Sequence, residues 1–182
     1  MRTLLLMFAV VGLYCCAPQS SVEVAQTKPF FDLIGYIKTE EVRLKKAVTK
    51  AKKVTEVNAQ REEREVIQPN FEEELAVFSQ VDINRPAWYN QYKADTVRSE
   101  TGAVLKLTYL AQNVTLKTRS MEVSLDTLGQ VSNILIKAKS DNPVASTEQI
   151  LTYSPSIGYT IDRTQDMALI PATRVKVKVT FK

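Results

Sequence analysis

The chain has 182 residues, enough for one domain with its own core and too few for two of ordinary size. Charged residues make up 24% and hydrophobic ones 45%, a balance that excludes wholesale disorder. There is no histidine, so composition excludes a Ser-His-Asp triad, a Cys-His pair and a histidine metal site. The 24 basic residues against 20 acidic ones leave +4, or +3 once Arg2 departs with a signal segment, an excess too small to predict a nucleic-acid partner. None of the five glycines sits in a phosphate-cradling pattern.

Arg2 supplies a positive start, and Leu4 to Leu13 form an apolar run. That run is too short to cross a bilayer core of ~30 Å and suits a signal peptide. It ends in Gly12-Leu13-Tyr14-Cys15-Cys16, which holds both cysteines of the protein. The stretch resembles a bacterial lipoprotein box, with an aliphatic residue three before the cut, a small residue before it, then the lipidated cysteine. Cleavage before Cys16 puts Leu13 at the aliphatic position and Cys15 at the small one. Cleavage before Cys15 puts bulky Tyr14 at the small position. The reading is a signal peptide over residues 1–15 and lipidation at Cys16, with a plain secretory signal as the alternative. Two acyl chains anchor stably where one is marginal. Residues 16–28 carry no sustained period and many small polar side chains, the composition of a flexible tether.

Residues 29–182 read as a single domain. A first helix is expected over 30–48, with Pro29 in its first turn, Thr27 or Lys28 near the cap, and a stripe of Phe30, Ile34, Ile37, Leu44 and Val48 interrupted by Glu41. Gly35 in its interior costs ~1 kcal/mol relative to Ala and suggests close packing. Between 43 and 53 lie six basic residues and no acid: Arg43, Lys45, Lys46, Lys50, Lys52 and Lys53. They read as a solvated helix end or as a contact for lipid headgroups. Residues 52–67 are compatible with a hairpin turning around Asn58-Ala59-Gln60 or with a continued charged helix. A second helix is expected over 70–80, with Asn70 as N-cap, Glu73 completing a capping box, and Phe71, Leu75 and Phe78 facing the core.

From residue 90 the period changes to two. Strands are expected at Asn90–Asp95, Ala103–Leu110, Leu116–Leu125, Val131–Ala138, Thr147–Ser154, Tyr159–Asp166 and Arg174–Phe181. Turn residues separate them, among them Gly102, Gly129, Ser140 to Pro143, Pro155 to Gly158, and Pro171. The links are short, so consecutive strands pair antiparallel. In the last strand Val175, Val177, Val179 and Phe181 face one way, while Arg174, Lys176, Lys178 and Lys182 face the other. Burying those four apolar side chains would contribute roughly 6–12 kcal/mol before entropy costs. The expected fold is therefore α+β, with the N-terminal helices packed on a curved antiparallel meander of about six or seven strands over 90–182.

Few residues carry a chemical signature. Acids are abundant, but no spacing singles out a general acid and base. Asp82, Asn84, Arg85, Trp88 and Tyr89 form either a turn cluster before Pro86 or the polar lining of a small-ligand site. Asp95-Thr96-Val97 and Asp126-Thr127-Leu128 each resemble the short acceptor motif for O-glycosylation of exported proteins in the Bacteroidota, which makes Thr96 and Thr127 candidate acceptors. Asn113-Val114-Thr115 matches the N-glycan sequon, of little weight in a bacterial envelope.

Three further stretches carry a likeness: Phe31-Asp32-Leu33-Ile34-Gly35-Tyr36, Asp82-Ile83-Asn84-Arg85-Pro86-Ala87-Trp88, and Leu151-Thr152-Tyr153-Ser154-Pro155 with Gly158-Tyr159. With the order of elements, they resemble an uncharacterised family of Bacteroidota cell-envelope lipoproteins. That resemblance implies no known activity. The expectation is a lipid-anchored envelope protein at the outer membrane, acting as a non-enzymatic binding or scaffold module for another envelope component. The alternative is a carrier that holds an apolar ligand, a lipid or acyl chain, between helix and sheet. No cofactor, metal or nucleic acid is expected in either case.

Overall fold

The computed structural model describes residues 28–182, so the signal segment, Cys15, Cys16 and the tether before Lys28 lie outside the described residues. In chain order the elements are α1 (Leu33–Ala47), β1 (Lys50–Val57), β2 (Gln60–Ile67), α2 (Phe71–Ser79), a 3-10 turn at Pro86–Trp88, β3 (Tyr92–Arg98), β4 (Val104–Ala111), β5 (Thr118–Leu125), β6 (Val131–Asn142), β7 (Ala145–Ser154), β8 (Gly158–Met167) and β9 (Ile170–Phe181). All nine strands join one antiparallel sheet in the order β2-β1-β9-β8-β7-β6-β5-β4-β3. The sheet is open, with β2 and β3 as its edges, and both helices lie on one face, the inner face.

The charged stretch after α1 is a hairpin, which raises the strand count to nine. Asn58 at its tip takes φ 53, and its carboxamide oxygen accepts from Arg174 N at 2.9 Å, tying the tip to β9. β1 pairs with β9 along its length, Ala51 opposite Phe181 and Val57 opposite Val175. Edge strand β2 is guarded by Arg61, Glu62, Glu63, Arg64 and Glu65, charges that discourage another chain from pairing there.

Helix α1 begins three residues later than its sequence suggests. Asp32 is the N-cap, and its Oδ1 accepts from Gly35 N at 2.8 Å. A Cβ on Gly35 would lie 2.5 Å from Asp32 Oδ2, so the glycine is there for the cap itself. Phe30 and Phe31 are held in a non-helical segment by Asn84, whose Oδ1 accepts from Phe30 N at 3.2 Å and whose Nδ2 donates to Phe31 O at 2.8 Å. The buried stripe is Leu33, Ile37, Glu40 and Leu44, which puts an acid on the core face. Helix α2 follows its sequence closely, with Phe71, Leu75 and Phe78 buried and Asn70 Oδ1 accepting from Glu73 N at 3.5 Å.

The core lies between the helices and the inner face. Met121, Val123, Ile134, Ile136, Leu151 and Tyr153 rise from the sheet to meet Leu33, Ile37, Leu44, Leu75 and Phe78. Each such side chain contributes ~1.5–3 kcal/mol. Phe78 meets Tyr153 and Tyr159 edge-on at 5.9 and 6.4 Å, and Phe71 meets Phe181 at 5.7 Å. These side chains fill the space beneath the helices. Among the described residues, no helix is long and apolar enough to cross a membrane.

The turn signals at Ser140 and Pro171 fall inside strands. β6–β7 turns at Pro143-Val144 and β8–β9 at Ala168-Leu169, so both hairpins are longer than the turn residues suggest. Proline is tolerated in the terminal part of β9 because Met167 pairs with Ile170 and a bulge between Gln165 and Met167 breaks the ladder there.

Candidate functional site

Two acids on the helices reach down to two adjacent tyrosines on the sheet. Tyr153 on β7 pairs directly with Tyr159 on β8. The Tyr153 hydroxyl donates to Glu40 Oε2 of α1 at 2.5 Å, and Arg43 closes on the same carboxylate through Nε at 2.8 Å and Nη2 at 2.6 Å. Arg43 Nη2 also donates to Pro155 O at 2.8 Å, which ties α1 to the β7–β8 turn. The Tyr159 hydroxyl donates to Glu74 Oε2 of α2, and Lys53 Nζ donates to Glu74 Oε1 at 2.6 Å. Burial pushes both phenols well above the ordinary tyrosine range, and the carboxylate beside each adds to the shift. The hydrogen bond from Arg43 to Glu40 holds that guanidinium charged. Each acid, Glu40 buried and Glu74 partly so, is thus compensated twice, by a phenol and a cation.

Helix α2 covers only part of the strands beneath it. Val179 is 4% exposed, whereas Val175, Val177 and Phe181 are partly buried, Phe181 against Phe71 and Val177 against the edge of the core. The expectation of four buried side chains on β9 is corrected accordingly: Val179 alone is buried, the other three are partly buried, and Val175 and Val177 floor an open groove. The groove has a volume of 520 Å³ and is lined by Val77, Ile161, Val175 and Val177 with Lys53, Glu73, Glu74, Arg163 and Gln165. Arg163 sits opposite Val175 and, among the described residues, makes no ion pair. Lys53 and Glu74 are satisfied by one another and by Tyr159. The arrangement offers an aliphatic floor, a paired wall and one available cation.

A second depression, of 410 Å³, lies on the outer face among Lys52, Val54, Glu56, Arg61, Lys176 and Lys178. Its walls are charged: Lys52 pairs with Glu63 at 2.6 Å and Arg61 with Glu56 at 3.7 Å, while Lys176 and Lys178 make no ion pair among the described residues. The basic run from 43 to 53 is dispersed in the same way: Arg43 serves Glu40, Lys50 meets Glu65, Lys52 meets Glu63 and Lys53 meets Glu74. Lys45 and Lys46 sit in the last turn of α1, where the helix dipole favours cations.

The residues from 82 to 89 do come together, around the entry of the N-terminal segment. Asp82 is buried; its Oδ2 accepts from Asn84 N at 3.2 Å and its Oδ1 has no partner within the described chain. Desolvation raises its pKa above the ordinary carboxylate value. Arg85 lies over the Trp88 ring at 4.5 Å, a cation–π contact. Tyr89 meets Phe30 edge-on at 6.3 Å. Thr96 is exposed on edge strand β3, and Thr127 is exposed in the β5–β6 turn, where Asp126 Oδ1 accepts from Leu128 N and Gln130 N. Cys16 lies outside the described residues.

Sequence reasoning missed Glu40, Glu74 and the groove. Glu40 was open to detection, because Leu33, Ile37 and Leu44 set a helical spacing that includes it. Glu74 was read only as part of an acidic first turn. Comparison with protein-family models, with curated protein sequences and with solved structures gives no match for this chain.

Proposed function

We propose that this is a lipid-anchored protein of the bacterial cell envelope, held at the outer membrane through Cys16, that works as a non-enzymatic binding or scaffold module. The groove beside α2 is the surface it offers. The observation that carries this reading is the groove floored by the partly buried Val77, Ile161, Val175 and Val177, with Arg163 at its edge. A concave, mostly aliphatic lining with a polar group at its edge is the usual make-up of a binding site. The titratable groups at the groove are spent on one another, Glu74 with both Tyr159 and Lys53, which supports binding over catalysis.

The second reading is a carrier of a lipid or acyl chain. It draws support from the groove volume, which exceeds the ~300 Å³ at the lower end of small-ligand sites. In this reading the acyl chain lies on the floor and its anionic head meets Arg163. The filled space beneath the helices leaves the groove, rather than an enclosed hollow, as the place for it.

The test is mass spectrometry of what co-purifies with membrane-extracted native protein and with a Val177→Asp variant. A protein partner lost from the variant supports the module, and a lipid lost from it supports the carrier. A co-purified species retained by the folded variant overturns the groove assignment. Lipidation is checked separately: Cys16→Ser is expected to leave the membrane fraction.

A further inference from the structure

The two central hairpins overshoot the rest of the sheet at one end. Thr118, Ala138, Gln149, Arg163 and Val175 lie in one row across the strands, and Tyr92 at the start of β3 donates its hydroxyl to Thr118 O at 2.8 Å beside it. Past that row, β6 and β7 continue for four residues to Asn142 and Ala145, and β8 and β9 for four and five residues to Met167 and Ile170. At ~3.3 Å per residue, the overshoot is roughly 13 Å. The two turns are joined, Ala168 N donating to Val144 O at 3.2 Å.

The tip they form is apolar and bare. Val144 is 68% exposed, Leu169 96% and Ile170 56%. No charge occurs from Asn142 to Thr147 or from Met167 to Thr173, in a chain of which 24% is charged. Elsewhere the outer surface is laced with ion pairs, such as Arg174 with Asp162 at 2.6 Å and Lys139 with Glu148 at 3.0 Å. Water-facing turns are ordinarily polar, so a paired tip of this composition has a non-aqueous environment to meet.

The direction of the chain says which one. Phe30 packs on Tyr92 at 5.9 Å and on Tyr89 at 6.3 Å, so the N-terminal segment enters at the same end of the sheet as the tip. Lys28 follows Cys16 by twelve residues, a length that reaches at most ~40 Å. The geometry points to a membrane-inserting tip: Val144, Leu169 and Ile170 dip into the lipid bilayer to which Cys16 tethers the chain. This inference rests on the lipid-anchor reading for its occupant. Tether and tip together fix the orientation of the domain. The open groove beside α2, with Arg163 in the same row and Gln165 and Val175 beside it, then faces toward the membrane end.

The experiment uses the full chain, membrane-extracted and reconstituted into phosphatidylethanolamine–phosphatidylglycerol vesicles with or without brominated acyl chains. A Leu169→Trp variant is compared with Leu128→Trp, which alters an exposed leucine at the opposite end of the sheet. Bromine in the hydrocarbon should quench the added emission of Leu169→Trp by at least half and leave that of Leu128→Trp unchanged. Equal emission of Leu169→Trp in the two kinds of vesicle, with the protein still sedimenting with them, overturns the tip and leaves the anchor standing. Retention of Cys16→Ser in the membrane fraction, with an intact mass that shows no lipid on Cys15, overturns the anchor reading instead. A concentration-dependent dimer without vesicles, abolished by Leu169→Ser, overturns the inference in favour of a second copy as the tip's partner.

Discussion

Glu40 occupies a position that helical spacing would give to an aliphatic side chain, and Glu74 meets the sheet one turn into its helix. Both are held by a tyrosine hydroxyl and a cation. A hydrogen bond to a charged group is worth ~1.5–3 kcal/mol, and removing one partner leaves the other buried and short of it. Tyr153→Phe and Tyr159→Phe are each expected to lower the urea-unfolding free energy by about that amount. In a double-mutant cycle, Glu74→Gln with Tyr159→Phe should show a coupling above ~1 kcal/mol, and additivity would mean the contact carries no energy. The same burial sets a pH limit. Tyr36, Tyr92, Tyr109, Tyr153 and Tyr159 all have raised pKa values, chiefly through desolvation, Tyr92 to about 12. Above pH ~10 the unfolded chain releases protons that the folded chain keeps. Their stabilisation is therefore fully present below pH ~10 and is lost as the pH rises through 12 and beyond. The urea midpoint is expected to hold from pH 8 to 9.5 and to fall steeply by 11.5. Phenolate absorbance of these tyrosines should rise only as the circular dichroism of the fold is lost.

The strands were legible element by element because their signals are local. Alternation marks each one, and Gly102, Gly129 and Gly158 mark turns where φ is positive. Asn58 marked the first hairpin equally well, but the charges around it fit a helix too. Only its pairing with β9, over a hundred residues away, decides between them. Alternation also told which residues of β9 share a face without telling what covers them, so Val175 and Val177 read the same as Val179 until α2 was placed. Gly158 shows how much hangs on that long-range pairing. It takes φ 143 at the start of β8, and a Cβ there would lie 1.9 Å from Val179 O of β9. Gly102 takes φ 86 with nothing within 4 Å. Gly158→Ala is expected to destabilise by more than ~3 kcal/mol, because the β8–β9 ladder must part, whereas Gly102→Ala should cost only about 1 kcal/mol for its backbone strain. Thermal melts of the two variants check this, and equal losses would mean that the close approach is relaxed in solution.

At the scale of the molecule, stability is distributed unevenly across the sheet. The β6–β8 strands are paired on both sides and carry Ile134, Ile136, Leu151 and Tyr153, all fully buried beneath the helices. Within the sheet the β1–β2 hairpin joins the rest through β9 alone, with Lys53 of β1 also reaching Glu74 of α2, and β2 has a single partner strand and almost no buried side chain. Its ion pairs to Lys50, Lys52 and Lys182 are exposed, and pairs of that kind contribute little. Opening β2 therefore gives up few buried contacts, while opening β7 dismantles the core. Native-state hydrogen exchange is expected to resolve the two. The amides of β7 around Leu151 and Tyr153 should exchange only through global unfolding, with the full denaturant dependence. The hydrogen-bonded amides of β2 should exchange through a smaller opening, at least ~2 kcal/mol lower in free energy and nearly independent of denaturant. Added salt should leave that difference in place, because the exposed pairs are not what holds the hairpin. Equal protection in β2 and β7 would mean that the hairpin opens only with the body, and that its contacts with β9 bind it more tightly than its exposure allows.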